Sequence, residues 1–409
     1  RGSGISWSFD NGNSWHYINQ PVDSGEPGGN IYFEWYGQQL KQKVWHTTVD
    51  NISYDVGVDL KRKYIYSTSW GGSLRRFNYE NENKTWEIIP LPMDDQDSLF
   101  CGEINENEYY LNPVDPPDGS HNHKAFSVYV EADTIWVGTA GGINKGIIQS
   151  DGCINWTHFD TDNGLGGDWV IGIIPQQFDS YTRLWLISWR TPGASHPLTF
   201  TDDGGKSWNV VTQLFDMDII VYNLSFSDKN ILASTDHGLY VSDVNDGIFW
   251  NLLPITADST GEILLTETVY SAITLVDDQD IYLIGTNDGL SIMSTSGVTV
   301  DNIRYWEPAN PFSAYPNPFL INDINQVDGD GYVRFIYSNP GNNNGSIDVF
   351  DFAMDKVIQL GTSHLVNNNE SELIWNGRNE YGDLVTNGVY FCRLSLNSEY
   401  FWTKLAVVN

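Results

Sequence analysis

The sequence predicts an all-β chain. A β-propeller of six or more four-stranded blades, the first incomplete, is expected over residues 1–308, then a linker at 309–318 and a β-sandwich at 319–409. Three observations predict it. The stretch IWVGTAGGI at 135–143 returns in near-copies, mostly at about fifty-residue spacing, a period of propellers, solenoids or arrays. Aromatic residues are 14% of the chain, with 16 Trp and 22 Tyr, and no long Ala/Leu/Glu/Lys stretch carries a helical period. After Pro308 the pattern changes to a Pro-rich segment followed by short alternating runs.

The copies are IYSTSWGGSL from Ile65, LWLISWRT from Leu184, ILASTDHGLYV from Ile231 and IYLIGTNDGLSI from Ile281. Each is an apolar β-rich run, a small or Gly-containing break and a second apolar run, the signature of a hairpin. An apolar strand lies ahead of most copies, as at 126–130 and 269–275, and a segment ending in Trp follows. The unit is therefore four strands, a to d, the content of one blade. Full blades are expected at about 52–92, 125–160, 169–213, 221–254 and 269–308. Residues 1–20 read as strands c and d of a further blade, so upstream polypeptide is expected, and a seven- or eight-bladed ring needs it for closure.

Lys and Arg total 21 against 53 Asp and Glu, a formal net charge of −32. Such a chain repels phosphate backbones and anionic membranes, which excludes nucleic acid as an expected partner. No apolar run reaches the length of a membrane span, and the opening RGSGISWSFD carries neither initiator Met nor signal peptide. Cysteines 101, 153 and 392 are too few and dispersed for a disulfide framework or a zinc ribbon, and their redox state is left open.

Ser8, Asp10, Gly12 and Trp15 spell S-x-D-x-G-x-x-W, and Thr201, Asp203, Gly205 and Trp208 repeat the spacing. An Asp side chain accepts backbone N–H bonds within a tight turn, Gly supplies positive φ, and Trp covers the turn. Degenerate versions sit at 150–156, 242–250 and 78–86. These segments resemble the Asp-box, or bacterial neuraminidase repeat. That resemblance implies c–d hairpins on the face away from the ligand side and a structural, not catalytic, carboxylate.

Two long connections, 21–51 and 93–124, fall between strand d of one blade and strand a of the next. Both are expected to build up the face carrying the b–c loops, where Trp70, Trp189, Arg190 and His196 are the candidate binding residues. His121 and His123 near Asp118 read as a solvated polar loop, with metal binding as the alternative. The acidic runs at 94–97, 277–280 and 328–331 read as turns, with calcium as the alternative. No cofactor is assigned.

The tail carries YPNPF at 315–319, IDVFDFAMDKVIQL at 347–360, WNGRNEYGDLVTNGVYFCRL at 375–394 and TKLAVV at 403–408. It resembles the FlgD-type Ig-like domain and the type A C-terminal sorting domains of type IX secretion. The residues carrying the resemblance are Pro316, Asn317, Pro318, Trp375, Gly377, Gly382, Gly388 and Tyr390. Gly377, Gly382 and Gly388 are expected to make turns, and Trp375, Val389, Tyr390 and Phe391 to build the core. The resemblance implies export, an extracellular or outer cell-surface location, and recognition of the tail by secretion machinery.

Three functional classes follow. The first is a non-catalytic propeller binding a surface protein or polysaccharide. The second is a structural subunit of a surface assembly or a secretion accessory. The third is a sialidase-like glycoside hydrolase with part of its machinery upstream. A sialidase clamps its substrate carboxylate with three arginines. Arginines here are few and none lies in a FRIP-like motif. No Ser-His-Asp arrangement, P-loop or dinucleotide fingerprint is present, so no catalytic residue is assigned.

Overall fold

The computed structural model describes residues 4–45, 52–81, 85–191, 196–254, 266–275, 281–287, 289–303, 312–321, 332–338, 345–361, 370–396 and 399–408. The acidic runs at 277–280 and 328–331 lie outside these residues, as does Pro308. Among the described residues the regular structure is almost all strand, and the one α-helix is the single turn Gln213–Asp216. Contacts divide the chain into two units, Arg1–Ile303 and Arg304–Asn409.

In the first unit the chain makes five antiparallel meanders in sequence order. Sheet I holds Ser53–Asp59, Tyr64–Ser69, Ser73–Asn78 and Glu87–Ile89. Sheet II holds Ala125–Glu131, Thr134–Thr139, Gly142–Ile148 and Ile154–Phe159. Sheet III holds Val170–Gln177, Thr182–Ser188, Leu198–Thr201 and Asn209–Val211. Sheet IV holds Val221–Phe226, Asn230–Thr235, Gly238–Asp243 and Asn251–Leu252. Sheet V holds Val269–Thr274, Ile281–Thr286, Gly289–Ser294 and Thr299–Ile303. A two-stranded hairpin, Ile5–Trp7 with His16–Ile18, precedes them and packs Ile5 and Ile18 on Ile65 and Phe77 of sheet I.

The first strands of successive sheets lie against one another, I on II, II on III, III on IV and IV on V. They approach closely because small residues face the neighbour: a Cβ on Gly57 would sit 3.1 Å from a methyl of Val130. The recurring hairpin has a local chemical cause. In sheets II, IV and V the second strand ends in Thr139, Thr235 or Thr286, whose hydroxyl donates to the carbonyl of Gly142, Gly238 or Gly289 three residues on. Each of those glycines has positive φ, between 105° and 130°, a region closed to most side chains.

The two long connections do not rise together over one end of the sheets, as the sequence suggests. Their strands Asn30–Trp35 and Gln38–Lys43 form a hairpin that Tyr110–Leu111 extends in parallel, and Ser98–Leu99 adds a fifth strand to sheet II. Trp35, Leu40, Leu99, Ile104, Tyr109 and Leu111 are buried with Tyr66, Ile89, Ile135 and Trp156 of sheets I and II. The hairpin tip reaches the turn at 149–153, where the Tyr36 hydroxyl donates to the Asp151 carbonyl at 2.7 Å. Cys101 of the second connection and Cys153 of that turn form a disulfide with Cα atoms 6.2 Å apart. The apolar side chains of these otherwise polar insertions fill the outer wedge between two sheets and order them by burial.

His123 is a second departure: it is fully buried, not solvated. Its Nδ1 accepts the Asn112 N–H at 3.0 Å, and its Nε2 lies 3.2 Å from the Leu91 carbonyl, so the ring is neutral with the proton on Nε2. Burial pushes it down to about 4. Above pH 6.5 the folded and unfolded rings are both neutral. Below it the unfolded chain gains a proton that the fold refuses, so stability falls from pH 6.5 to 4, by about 3 kcal/mol for this group. Urea unfolding at pH 7 and pH 4 should show His123→Gln losing that part of the pH dependence; an unchanged slope contradicts the assignment.

The second unit has two sheets. One pairs Phe312–Tyr315, Val333–Ser338 and Glu370–Trp375; the other orders Phe319–Leu320, Glu399–Val408, Gly388–Leu396, Gly345–Phe350 and Lys356–Leu360. Phe312, Phe319, Phe335, Val349, Trp375, Tyr390, Cys392 and Leu405 form their shared core. Residues 312–315, placed in the linker by the sequence reading, form a strand whose Phe312 is fully buried. Gly377 and Gly382 have φ of 71° and 87° and sit in the turn after Trp375, whose indole N–H donates to the Arg378 carbonyl at 2.8 Å. Gly388 instead opens the strand Gly388–Leu396. Along that strand Tyr390 and Cys392 face inward while Val389 is exposed and Phe391 half-buried, because successive side chains alternate. Tyr390 donates its hydroxyl to the Thr386 carbonyl at 2.7 Å. Pro316 and Pro318 follow cis peptide bonds, and Asn317 between them pins the last strand, donating to the Lys404 carbonyl and accepting the Ala406 N–H.

Candidate functional site

The first strand of each of sheets I to V carries a β-bulge at the same place. The pairing skips one residue after the opening pair: Tyr54 in sheet I, Phe126 in II, Ile171 in III, Tyr222 in IV and Tyr270 in V. A bulge leaves its extra residue unpaired and re-aims its side chain. All five residues are apolar or aromatic, and two neighbouring pairs of them meet across sheets, while Ile171 packs against the core of sheets III and IV. Tyr54 lies edge-on to Phe126 at 5.6 Å, Phe126 stacks on Trp169 at 5.8 Å, and Tyr222 packs on Tyr270 at 5.4 Å. Tyr54 is 57% and Tyr270 49% exposed, so this collar offers aromatic surface at both ends.

The following residue stabilises several bulges. Asp55 accepts the Val56 N–H at 2.8 Å and, across to sheet II, the Val128 N–H at 2.9 Å. Asn223 accepts the Leu224 N–H at 2.9 Å. An Asx side chain thus holds backbone that the ladder misses.

The loop candidates lie at the same strand ends, since Trp70 follows Ser69 and Trp189 follows Ser188, the partners of the residues that precede each bulge. Trp189 is exposed, and its backbone N–H donates to the Trp169 carbonyl at 2.7 Å. Arg190 pairs with Asp218 at 2.8 Å. Trp70 is half-buried: Trp45 meets it edge-on at 5.8 Å, and the Lys124 ammonium lies 5.3 Å from its ring. Lys124 is itself buried against Trp169 and ion-paired to Asp115. His196 packs edge-on against Phe215 at 4.9 Å. Trp189 is therefore available to a partner, whereas Arg190 is ion-paired to Asp218 and Trp70 is committed to holding Lys124.

The two S/T-x-D-x-G-x-x-W segments lie in turns, Thr201–Trp208 between the third and fourth strands of sheet III and Ser8–Trp15 in the two-stranded hairpin. Ser8 and Thr201 each accept the N–H of Gly12 or Gly205 and donate to Asp10 or Asp203 at 2.8 Å. Asp10 accepts from the Ser14 hydroxyl and N–H, and Asp203 from the Ser207 hydroxyl and the N–H groups of Lys206 and Ser207. These bonds, led by the Ser14 hydroxyl, hold Asp10 down at about 2, and those from Ser207 hold Asp203 well below the usual carboxylate range. Trp15 is exposed but donates to the Gly12 carbonyl; Trp208 packs on Trp136 and Phe159. In the degenerate turn at 242–250, Trp250 is buried and donates to Gly247 in the same way.

Electrostatics near the collar are local. Burial pushes Asp168 up, opposed by the Thr161 N–H and hydroxyl that it accepts, and the Asp236 carboxylate holds His237 above its usual value. No group of three or more His, Cys, Asp or Glu side chains placed to hold a metal occurs among the described residues. The collar is arranged for apolar and ring-stacking contact, edged by hydrogen-bonding groups.

These features define an all-β chain with an aromatic surface at one end of its repeated sheets; among the described residues no helix is long and apolar enough to cross a membrane. No family model and no curated relative matches the chain. Among solved structures it is similar to PorZ, described as an essential bacterial surface component of the type-IX secretion system of Porphyromonas gingivalis, with 11% identity and a TM-score of 0.46. It is also similar to the extracellular domain of the putative hybrid two-component system BT3049 from B. thetaiotaomicron, with 14% identity and a TM-score of 0.43. All of this chain is covered in both, but only 57% and 50% of those chains. The chain thus spans little more than half the length of either.

Proposed function

We propose that the chain is a secreted or cell-surface, non-catalytic β-propeller protein that binds a surface protein or polysaccharide at its aromatic collar. The observation that carries this reading is the bulge repeated in five sheets, each time under an apolar or aromatic residue. Bulges concentrate where a side chain must be re-aimed, and repeating one at equivalent positions collects those side chains at one site. The propeller reading is supported by the consecutive contact of the first strands and by the T-x-x-G closures. The Asp-box carboxylates are structural in this reading, since their oxygens are occupied by turn donors. The tail is read as an Ig-like sandwich of the sorting-domain kind, recognised by a type IX-like export machinery.

Screening the full chain on a glycan array and against surface proteins of the producing cell tests the reading. Tyr54→Ala with Tyr270→Ala and Trp189→Ala should abolish the strongest interaction while the melting temperature holds, and Asp203→Ala should lower the melting temperature and leave the interaction intact. Turnover of a glycoside substrate, or binding untouched by the collar variants, would overturn it.

A further inference from the structure

The second unit carries an aromatic surface that the sequence reading does not single out. It is the outer face of the five-stranded sheet, opposite the core. Register sets its rows: Asp348 pairs with Arg393 and Arg393 with Trp402, while Phe350 pairs with Phe391 and Phe391 with Lys404. The Arg393 guanidinium lies 5.1 Å from the rings of both Phe350 and Tyr400 and 5.6 Å from Trp402. Phe350 and Trp402 pack at 5.7 Å, and Lys404 stands 5.9 Å from Phe391. Cation–π contacts therefore fix the rings in place before any ligand arrives. Beside them a depression of about 650 Å³ is lined by Met354, Phe391, Trp402, Thr403 and Lys404.

Charge discriminates among occupants. The chain as a whole carries −32, yet the strands of this face present Lys356, Arg393 and Lys404 against Asp348, with Asp351 and Asp355 in the turn at its edge. Arg393 bonds Asp348 at 2.7 Å, and Lys404 has no ion-pair partner among the described residues. Exposed, pre-oriented rings beside an unneutralised ammonium suit a pyranose whose C–H face stacks and whose acidic substituent meets the cation. Lysine is depleted at the centre of protein–protein interfaces, whereas here Lys404 stands against the Phe391 ring.

We propose that this sheet face binds an acidic saccharide chain, with Trp402 as the stacking platform and Lys404 as the carboxylate contact. The proposal is independent of the collar, which lies in the other unit. The test is affinity electrophoresis and calorimetry of the full chain with polygalacturonate as probe and hydroxyethyl cellulose as uncharged reference. Polygalacturonate should retard the protein and the cellulose should not, with the effect weakening as salt rises. Trp402→Ala and Lys404→Gln should each weaken the dissociation constant by roughly tenfold. Lys404 is exposed, so Lys404→Gln should leave thermal unfolding unchanged, Trp402→Ala should stay folded with a lowered midpoint, and Tyr54→Ala with Tyr270→Ala should bind like the parent. No retardation by polygalacturonate, equal retention on the uncharged polymer, or undiminished affinity in a folded Trp402→Ala variant overturns the proposal.

Discussion

Asp23→Ala should destabilise the first unit by about 3–5 kcal/mol, because it strands a buried charge. Arg75 is 3% exposed, and its guanidinium donates to the Gly72 carbonyl and to Asp23, both at 2.7 Å. The other Asp23 oxygen accepts the Gln42 amide and the Trp45 N–H, each at 2.9 Å. Removing the carboxylate leaves a desolvated cation and two orphaned donors at once. It also unfastens the connection 21–45 from sheet I at the end where Trp45 meets Trp70. Adding Arg75→Met to Asp23→Ala should recover part of the loss, since an apolar side chain replaces the unpaired charge. Denaturant midpoints of the single and double variants measure this, and equal stabilities contradict it.

Losing the Cys101–Cys153 disulfide should cost the same unit about 4 kcal/mol, from the chain-entropy relation applied to a separation of 52 residues. The bond ties the 93–124 connection to the turn that the Tyr36 hydroxyl also reaches, so both insertions should loosen together. Reductant should lower the midpoint of the parent and leave a Cys101→Ala/Cys153→Ala variant unaffected. Cys392 will not confuse the assay: burial pushes its thiol up to about 12, and it should react with thiol reagents only after unfolding. A parent midpoint indifferent to reductant contradicts the prediction.

Strands, hairpins and Asp-box turns were legible in the sequence because each is written within a dozen residues. Alternation gives the strands, a small or Gly-containing break the hairpins, and Ser, Asp and Gly the turns. Two things were not legible, each for a non-local reason, and a third was written locally but read in the wrong phase. A bulge is an offset between two strands, and V-Y at 269–270 or A-F at 125–126 reads the same with or without one. The insertions pair at a distance, Tyr110–Leu111 against Gln38–Lys43, and three cysteines do not say which two meet. In the tail, Val389 and Phe391 look like core beside Tyr390, yet the later alternation Cys392, Leu394, Leu396 against Arg393, Ser395 sets the phase and turns both outward. That signal was present and decides which rings form the exposed face.

Hydroxyl-radical footprinting of the full chain, free and saturated with the tightest glycan or surface protein from the screen, tests the collar most directly. The account predicts strong protection of Tyr54, Tyr270 and Trp189, with Trp15 in the Asp-box turn equally reactive in both states. Protection of Trp15 with the three collar residues unchanged would contradict it.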